Sequence, residues 1–321
     1  MTCYRIAPLL GLICAALYFG HRAVESAPRS ASSSQTSSTL NVDVDLVLLT
    51  TTVTDGHNRH VDGLRKENFQ IWEDKIEQEI QYFSSENVPL SVGIIFDISG
   101  SMQEKLPSAR TAASTFLRMG EKEDEYFLVE FGNSPRLAAD FTTDITKIQN
   151  RLLLTKAQGQ TALYDGLYLG LEKVGHGNNL RKALLLVTDG EDNHSRYSFA
   201  DVREFAKEHD VQIYAIGIFD ESSTLGAAYN GRGRALLEDL ANLTGGRAFF
   251  PASINELESI CAQIGVDLKN QYVLGYRPLN LSNDGKWRKL KVKVKGSSGM
   301  PSLSVRAKAG YYASTIAKVM R

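Results

Sequence analysis

Hydrophobic and polar positions along this chain change period twice. From Leu40 to Phe83 the period is two: Val42, Val44, Leu46 and Leu48 alternate with Asp43, Asp45 and their neighbours. Phe69 and Ile71 then alternate with Gln70 and Trp72, and Ile80 and Tyr82 resume the pattern. Such alternation predicts half-buried strands. Asp55-Gly56-His57-Asn58 and Glu73-Asp74-Lys75 supply the turns between them. Three or more short strands in about 45 residues cannot bury a sizeable core alone, so they need a partner.

From Val88 to Asp267 buried-type strands alternate with amphipathic helices. Ser91–Asp97, Glu125–Phe131, Ala183–Thr188 and Val211–Ile218 read as strands, with Arg136–Phe141 a short edge strand and Arg247–Phe250 a last short one. Leu106, Ala109, Ala113, Phe116 and Leu117 mark one face of a helix. Leu163, Leu167, Leu171 and Val174 mark another, and Phe199–Glu208, Ala235–Leu243 and Ile254–Leu268 are helical too. Gly245-Gly246 closes the helix before it. The alternation predicts a mostly parallel sheet covered on both faces.

From Asn270 to Tyr312 the period returns to two. Gln271–Tyr276 is a strand, and Asn283-Asp284-Gly285-Lys286 is a turn. Leu290, Val292 and Val294 alternate with Lys289, Lys291, Lys293 and Lys295, and Leu303, Val305, Ala307 and Ala309 give a last strand. The lysine row reads as the solvated face of a strand, and lysines also protect a sheet edge. The strand-rich ends share one shortage of core. The economical solution packs them together as a small β-sandwich-like module, with the α/β unit inserted between them.

The boundaries follow. Residues 1–27 form a signal peptide or signal anchor and 28–39 a Ser-rich linker. Residues 40–87 and 269–313 form the two parts of the β module, 88–268 the α/β domain and 314–321 a tail. The leader has Arg5 and then an apolar run of about 15 residues, short for a membrane span and suited to a signal-peptide core. The cleavage site is poor, since Glu25 and Pro28 flank a cut after Ala27. The bulk of the protein is expected outside the cytoplasm: periplasmic, secreted or anchored through an uncleaved leader. That leader is the only expected membrane contact.

Composition changes little in this picture. At 321 residues with 43% hydrophobic and 23% charged positions, the chain is ordinary for a globular protein. A formal net charge of −1 gives no electrostatic case for nucleic acid. Of 3 cysteines, Cys3 and Cys14 lie in the leader, so Cys261 alone cannot form an internal disulfide. It reads as a buried apolar residue on a helix.

Candidate chemistry gathers where the strand Ser91–Asp97 ends. Asp97, Ser99 and Ser101 place three hard oxygens on one tight loop, with Gly100 to ease the turn. Hard oxygens suit Mg²⁺ or a similar divalent cation rather than zinc or copper. Gly159-Gln160-Thr161 places a threonine at the mouth of a helix, and Asp189 ends a buried strand. Asp97 and Asp189 both sit at carboxyl ends of strands, where open α/β sheets bind ligands. An Asp-x-Ser-x-Ser run alone is most often a helix N-cap. Thr161 and Asp189 in register favour the metal.

These residues resemble the von Willebrand factor A domain and its metal-ion-dependent adhesion site: Asp-Ile-Ser-Gly-Ser at 97–101, Thr161 and Asp189. The stretches beyond them resemble a bacterial family of exported proteins in which such a domain is flanked by β segments. The resemblance implies a Rossmann-like domain with a metal on top of the sheet. It implies that Ser99 and Ser101 bind the metal directly and Asp97 directly or through water. Thr161 would bind directly in the ligand-bound state, and Asp189 mainly through water. Mg²⁺ is the expected cofactor, with Mn²⁺ or Ca²⁺ as alternatives. The partner is expected to be a protein presenting an Asp or Glu carboxylate, because neutral hydroxyls only partly offset the cation.

The expected function is a non-enzymatic, metal-dependent binding module of the envelope or the exterior. A structural subunit whose metal only stabilises is the alternative, and a metal-assisted hydrolase a further one. No Gly-x-Ser-x-Gly, His-Glu-x-x-His or Walker loop is present, and no catalytic residue is assigned. Glu191, Asp192 and Asn193 read as a polar rim, and Tyr164 and Asp165 as helix-start packing and charge. His194 reads as surface, and Glu121-Lys122-Glu123-Asp124-Glu125 as a solvated turn.

Overall fold

The structure, a computed structural model, describes residues 46–190, 192–219, 224–295 and 303–314. The expected leader and linker, and the tail from 315 on, lie outside these residues, as do Glu191 and the start of the first expected strand. Strands β1 (Val47–Thr54), β2 (Phe69–Glu73), β3 (Ile76–Gln78) and β4 (Ile80–Ser84) come first. The alternating part runs β5 (Leu90–Asp97), α1 (Leu106–Met119), β6 (Glu125–Phe131), β7 (Pro135–Thr142), α2 (Ile145–Leu154) and α3 (Leu163–Gly175). It continues with β8 (Arg181–Thr188), α4 (Phe199–Glu208), β9 (Gln212–Gly217), α5 (Thr224–Thr244), β10 (Arg247–Phe249) and α6 (Leu257–Lys269). The last strands are β11 (Tyr272–Tyr276), β12 (Trp287–Val294), β13 (Ser304–Arg306) and β14 (Gly310–Tyr312).

The α/β part is built on a six-stranded sheet of order β10-β9-β8-β5-β6-β7, parallel except for β7. Every residue of β5, β6, β8 and β9 but one is buried, which explains their unbroken apolar runs. Alternate β5 side chains serve opposite faces. Ile94 and Phe96 pack with Phe116, Leu152 and Ile264, whereas Ile95 packs with Leu167, Leu240 and Val202. Thus α1, α2 and α6 cover one face and α3, α4 and α5 the other. The chain winds from β5 toward β6 and later from β8 toward β9. The strand order therefore reverses between β5 and β8, the place where open sheets of this kind leave a crevice.

The two ends of the chain do combine. One four-stranded sheet has the order β13-β1-β11-β4 and the other β14-β12-β2-β3, so each mixes strands from before and after the α/β part. Leu49, Phe69, Ile71, Tyr272 and Leu274 fill the core between them. The β2–β3 turn holds Asp74 and Lys75 at φ 47° and 75°, the left-handed pair of a tight hairpin. Gln271 joins the two parts: its Nε2 donates to Thr52 Oγ1 at 3.1 Å and to Gln212 Oε1 at 2.9 Å.

The lysine row is, as read, the exposed face of β12, which pairs with β2 over Leu290–Val294 and with β14 over Trp287–Lys289. Two readings change. The single last strand is two, β13 and β14, which join different sheets. The expected solvated turn is solvated only over Glu121–Glu123. Asp124 is buried and accepts from Leu90 N at 2.8 Å, and buried Glu125 accepts from Ser91 Oγ at 2.6 Å.

Candidate metal centre

Three loops meet at the carboxyl edge between β5 and β8. The first leaves β5 at Asp97. Ile98 N donates to Phe131 O at 2.8 Å, and residues Gly100–Met102 form a single 3-10 turn pinned by the fully buried Met102. The second loop is zipped to it. Gly100 N donates to Gly159 O at 3.0 Å, and Gln158 N donates to Ile98 O at 2.7 Å. Gly159 sits at φ +82°, and an added Cβ would lie 2.5 Å from Asn133 Oδ1. That oxygen caps the loop by accepting from Gln160 N at 2.7 Å. The third loop leaves β8 after Thr188.

The five candidate residues are brought to this edge. Asp97 is fully buried; its Oδ1 accepts from Ser99 N at 2.8 Å and its Oδ2 from Thr188 Oγ1 at 2.6 Å. Burial pushes its carboxyl up to about 6 against the pull of those hydrogen bonds, with neighbouring Asp189 adding to the rise. Ser99 Oγ lies 3.1 Å from Ser101 Oγ, which donates to Asp189 Oδ1 at 2.8 Å. Thr161 is buried beside Gly190, where an added Cβ would lie 3.7 Å from its Oγ1.

Several residues read from the sequence only as rim or helix start hold the site. Asn193 clamps Thr161 from both sides: Thr161 N donates to Asn193 Oδ1 at 2.9 Å and Asn193 N donates to Thr161 O at 3.0 Å. Asp192 accepts from Tyr164 N at 3.1 Å. Asp165, read as first-turn charge, is buried and accepts from Arg196 N at 2.9 Å and Tyr197 N at 3.1 Å. The residues read as rim and helix start therefore lock the third loop onto α3. His194 is exposed, as read.

Lys105 is the other addition. Its Nζ donates to Asp189 Oδ2 at 2.6 Å, and the Asp189 side chain is fully shielded from solvent. An ammonium thus stands on one oxygen of the carboxylate whose other oxygen faces the serines. Replacing Lys105 by Met is expected to raise the affinity for Mg²⁺ roughly tenfold, by removing a like charge from a shielded site. Isothermal titration of the variant checks this. A fall in affinity would mean that Lys105 serves mainly to orient Asp189.

The oxygens fit a small hard cation. Adjacent oxygens of an octahedral Mg²⁺ shell stand about 3 Å apart. Ser99 Oγ and Ser101 Oγ, 3.1 Å apart, have that spacing, and Ser101 Oγ donates to Asp189 Oδ1 at 2.8 Å, as a ligand hydroxyl does to an outer carboxylate. Among the described residues no three His, Cys, Asp or Glu side chains gather as a metal site. The set here is instead two carboxylates with three hydroxyls, which are hard donors of low total charge.

An open, mostly parallel sheet with oxygen-rich loops at its switch point defines the class of the domain: a doubly wound α/β fold. Residues 91–263, more than half the chain, match the von Willebrand factor type A domain, and the chain belongs to that family. No curated protein sequence matches it significantly. Among solved structures it is similar to a von Willebrand factor type A protein from Catenulispora acidiphila. That likeness has 12% identity over 84% of this chain and 73% of the other, with a TM-score of 0.49. It is also similar to the PilB minor pilin from Streptococcus sanguinis, at 16% identity over 58% of this chain and 63% of the pilin, with a TM-score of 0.46. A third is the vWF domain of the type V pili tip protein Mfa5 from Porphyromonas gingivalis, at 15% identity over 57% of this chain and 97% of that one, with a TM-score of 0.45. Among the described residues no helix is long and apolar enough to cross a membrane.

Proposed function

We propose that this chain is a non-enzymatic, metal-dependent protein-binding module that works at the cell envelope or outside the cell. Asp97, Ser99, Ser101, Thr161 and Asp189 would hold Mg²⁺, and the partner would supply an Asp or Glu carboxylate. The bound cation would supply a Lewis-acid contact to that carboxylate. The observation that carries the reading is the pair of hydroxyls Ser99 and Ser101, 3.1 Å apart like neighbours in an octahedral shell, with Ser101 donating to Asp189 at 2.8 Å.

Charge supports it further. Two ionised carboxylates, the Lys105 ammonium and a divalent cation leave one positive charge in excess. One incoming carboxylate neutralises it. The surrounding loops shield that contact, which strengthens a charge-assisted bond. Asn193 holds Thr161 in place through its backbone, so the hydroxyl is positioned before any partner arrives.

The test is capture of proteins from an envelope extract by the purified chain, with Mg²⁺ and with chelator. Capture is expected only with Mg²⁺, while circular dichroism stays the same in both. Capture that persists in chelator, together with a fall in melting temperature, would support the structural alternative instead.

A further inference from the structure

A trough of about 390 Å³ opens directly beside the first loop. Ile98, Arg136, Leu154, Lys156 and Gln158 are among its lining residues. Gln158 N donates to Ile98 O, and Gly100 N to Gly159 O, so the trough adjoins the first two loops of the candidate metal centre and runs over the β6–β7 turn and the α2–α3 connection.

Its charge has one sign. Lys156 is exposed. Arg136 pairs at 2.5 Å with Glu130, whose side chain is fully shielded and whose other oxygen accepts from Thr155 Oγ1. No carboxylate is among the trough's lining residues.

Of its apolar side chains, Ile98 belongs to the core and Leu154 is open to water. Helix α2 buries Ile148 and Leu152 against the sheet. Leu153 and Leu154 follow in the last turn and stay 66% and 72% exposed. Leu154 is the one of the two that lines the trough and gives it an apolar spot.

We propose that this trough seats the residues flanking the partner's metal-bound carboxylate. The occupant is an acidic, extended peptide segment. One Asp or Glu completes the metal, an aliphatic side chain rests on Leu154, and a second carboxylate pairs with Lys156. Charge complementarity and the trough's place against the first two loops of the centre select this occupant. The inference rests on the metal-dependent reading above and adds the direction in which the partner lies and its sequence character.

The test uses an array of short synthetic peptides with one fixed Asp and flanks varied among Leu, Glu, Ser and Lys. The full chain is applied in Mg²⁺ and in chelator. The strongest binders are expected to carry Leu and Glu on the same side of the fixed Asp. Lys156→Glu is expected to weaken those peptides about tenfold and to favour Lys-flanked ones, as charge reversal at an exposed pair requires. Leu154→Ser is expected to remove the preference for Leu. Both positions are exposed, so melting temperature and Mg²⁺ affinity stay as in the native chain. Mg²⁺-dependent binding that ignores the flanks, or that Lys156→Glu leaves unchanged, overturns this inference and leaves the metal reading standing. Binding that is undiminished by chelator overturns both.

Discussion

Asp97→Asn is expected to lower Mg²⁺ affinity more than about 100-fold, beyond what loss of an outer-shell partner costs, and yet to make the metal-free chain more stable. The carboxylate is fully buried and has two acceptor bonds but no cation of its own. Burial raises its carboxyl from 3.8 to about 6. A raised value means that the folded state holds the proton more tightly than the unfolded one. Ionisation therefore costs stability, fully above pH 6 and progressively less as pH falls toward 4. At pH 7 that cost is about 3 kcal/mol in the metal-free chain. Asn keeps the acceptor for Ser99 N. Its amide can donate to Thr188 Oγ1, whose own hydrogen has Gly190 O at 3.4 Å as an acceptor. Urea unfolding in chelator at pH 7 and pH 5 should show the native chain gaining stability relative to the variant at the lower pH. Titration calorimetry measures the lost affinity. A variant less stable than the native chain at pH 7 would show that the carboxylate's hydrogen bonds outweigh its burial.

Gly246→Ala is expected to cost about 3–5 kcal/mol and to lower the melting temperature by roughly 10 °C. Gly246 follows α5 and donates its N–H to Ala241 O at 2.9 Å. A Cβ there would lie 2.0 Å from Ile213 O, a backbone atom of β9 that cannot rotate away. Gly245 before it stands at φ +80° against the backbone of Ala307. The chain can turn from α5 into β10 only through this pair. Gly56→Ala, where an added Cβ meets nothing within 4 Å, is the control and should melt like the native chain. Equal melting of the two variants would show that the α5–β10 turn yields.

The fold and the candidate oxygens were largely legible in the sequence because both follow local rules. A strand buried on two faces must be apolar throughout, and Asp97 and Asp189 stand where such runs stop. Thr161 was legible because a glycine and a helix mark its loop. What escaped depends on distant contacts. Lys105 reads as any surface lysine until Asp189, far along the chain, is seen to accept from it. Asn193 reads as loop rim and Asp165 as first-turn charge because their bonds are to the backbone of another loop. Helix α2 went unread although Asp144 caps it and Ile145, Ile148 and Leu152 keep its spacing. Leu153 and Leu154 blur that period, since apolar residues on the wrong face look like core. The division between β13 and β14 was hidden because each is only 3 residues long.

The shuffled strand order of the β module has a consequence for how the chain is made. Ser84 at the end of β4 pairs with Val273 in β11, and β2 finds its neighbour in β12. During synthesis or export the first four strands emerge long before these partners exist. The α/β domain between them needs no such wait, since each of its strands meets a neighbour drawn from the same domain. Its completion brings the ends of β4 and β11 side by side and shortens the loop that the remaining pairing must close. The inserted domain thus acts as the template on which the module around it assembles. Damage to that domain should leave β1, β4 and the outer edge of the β2–β3 hairpin unpaired and prone to aggregation.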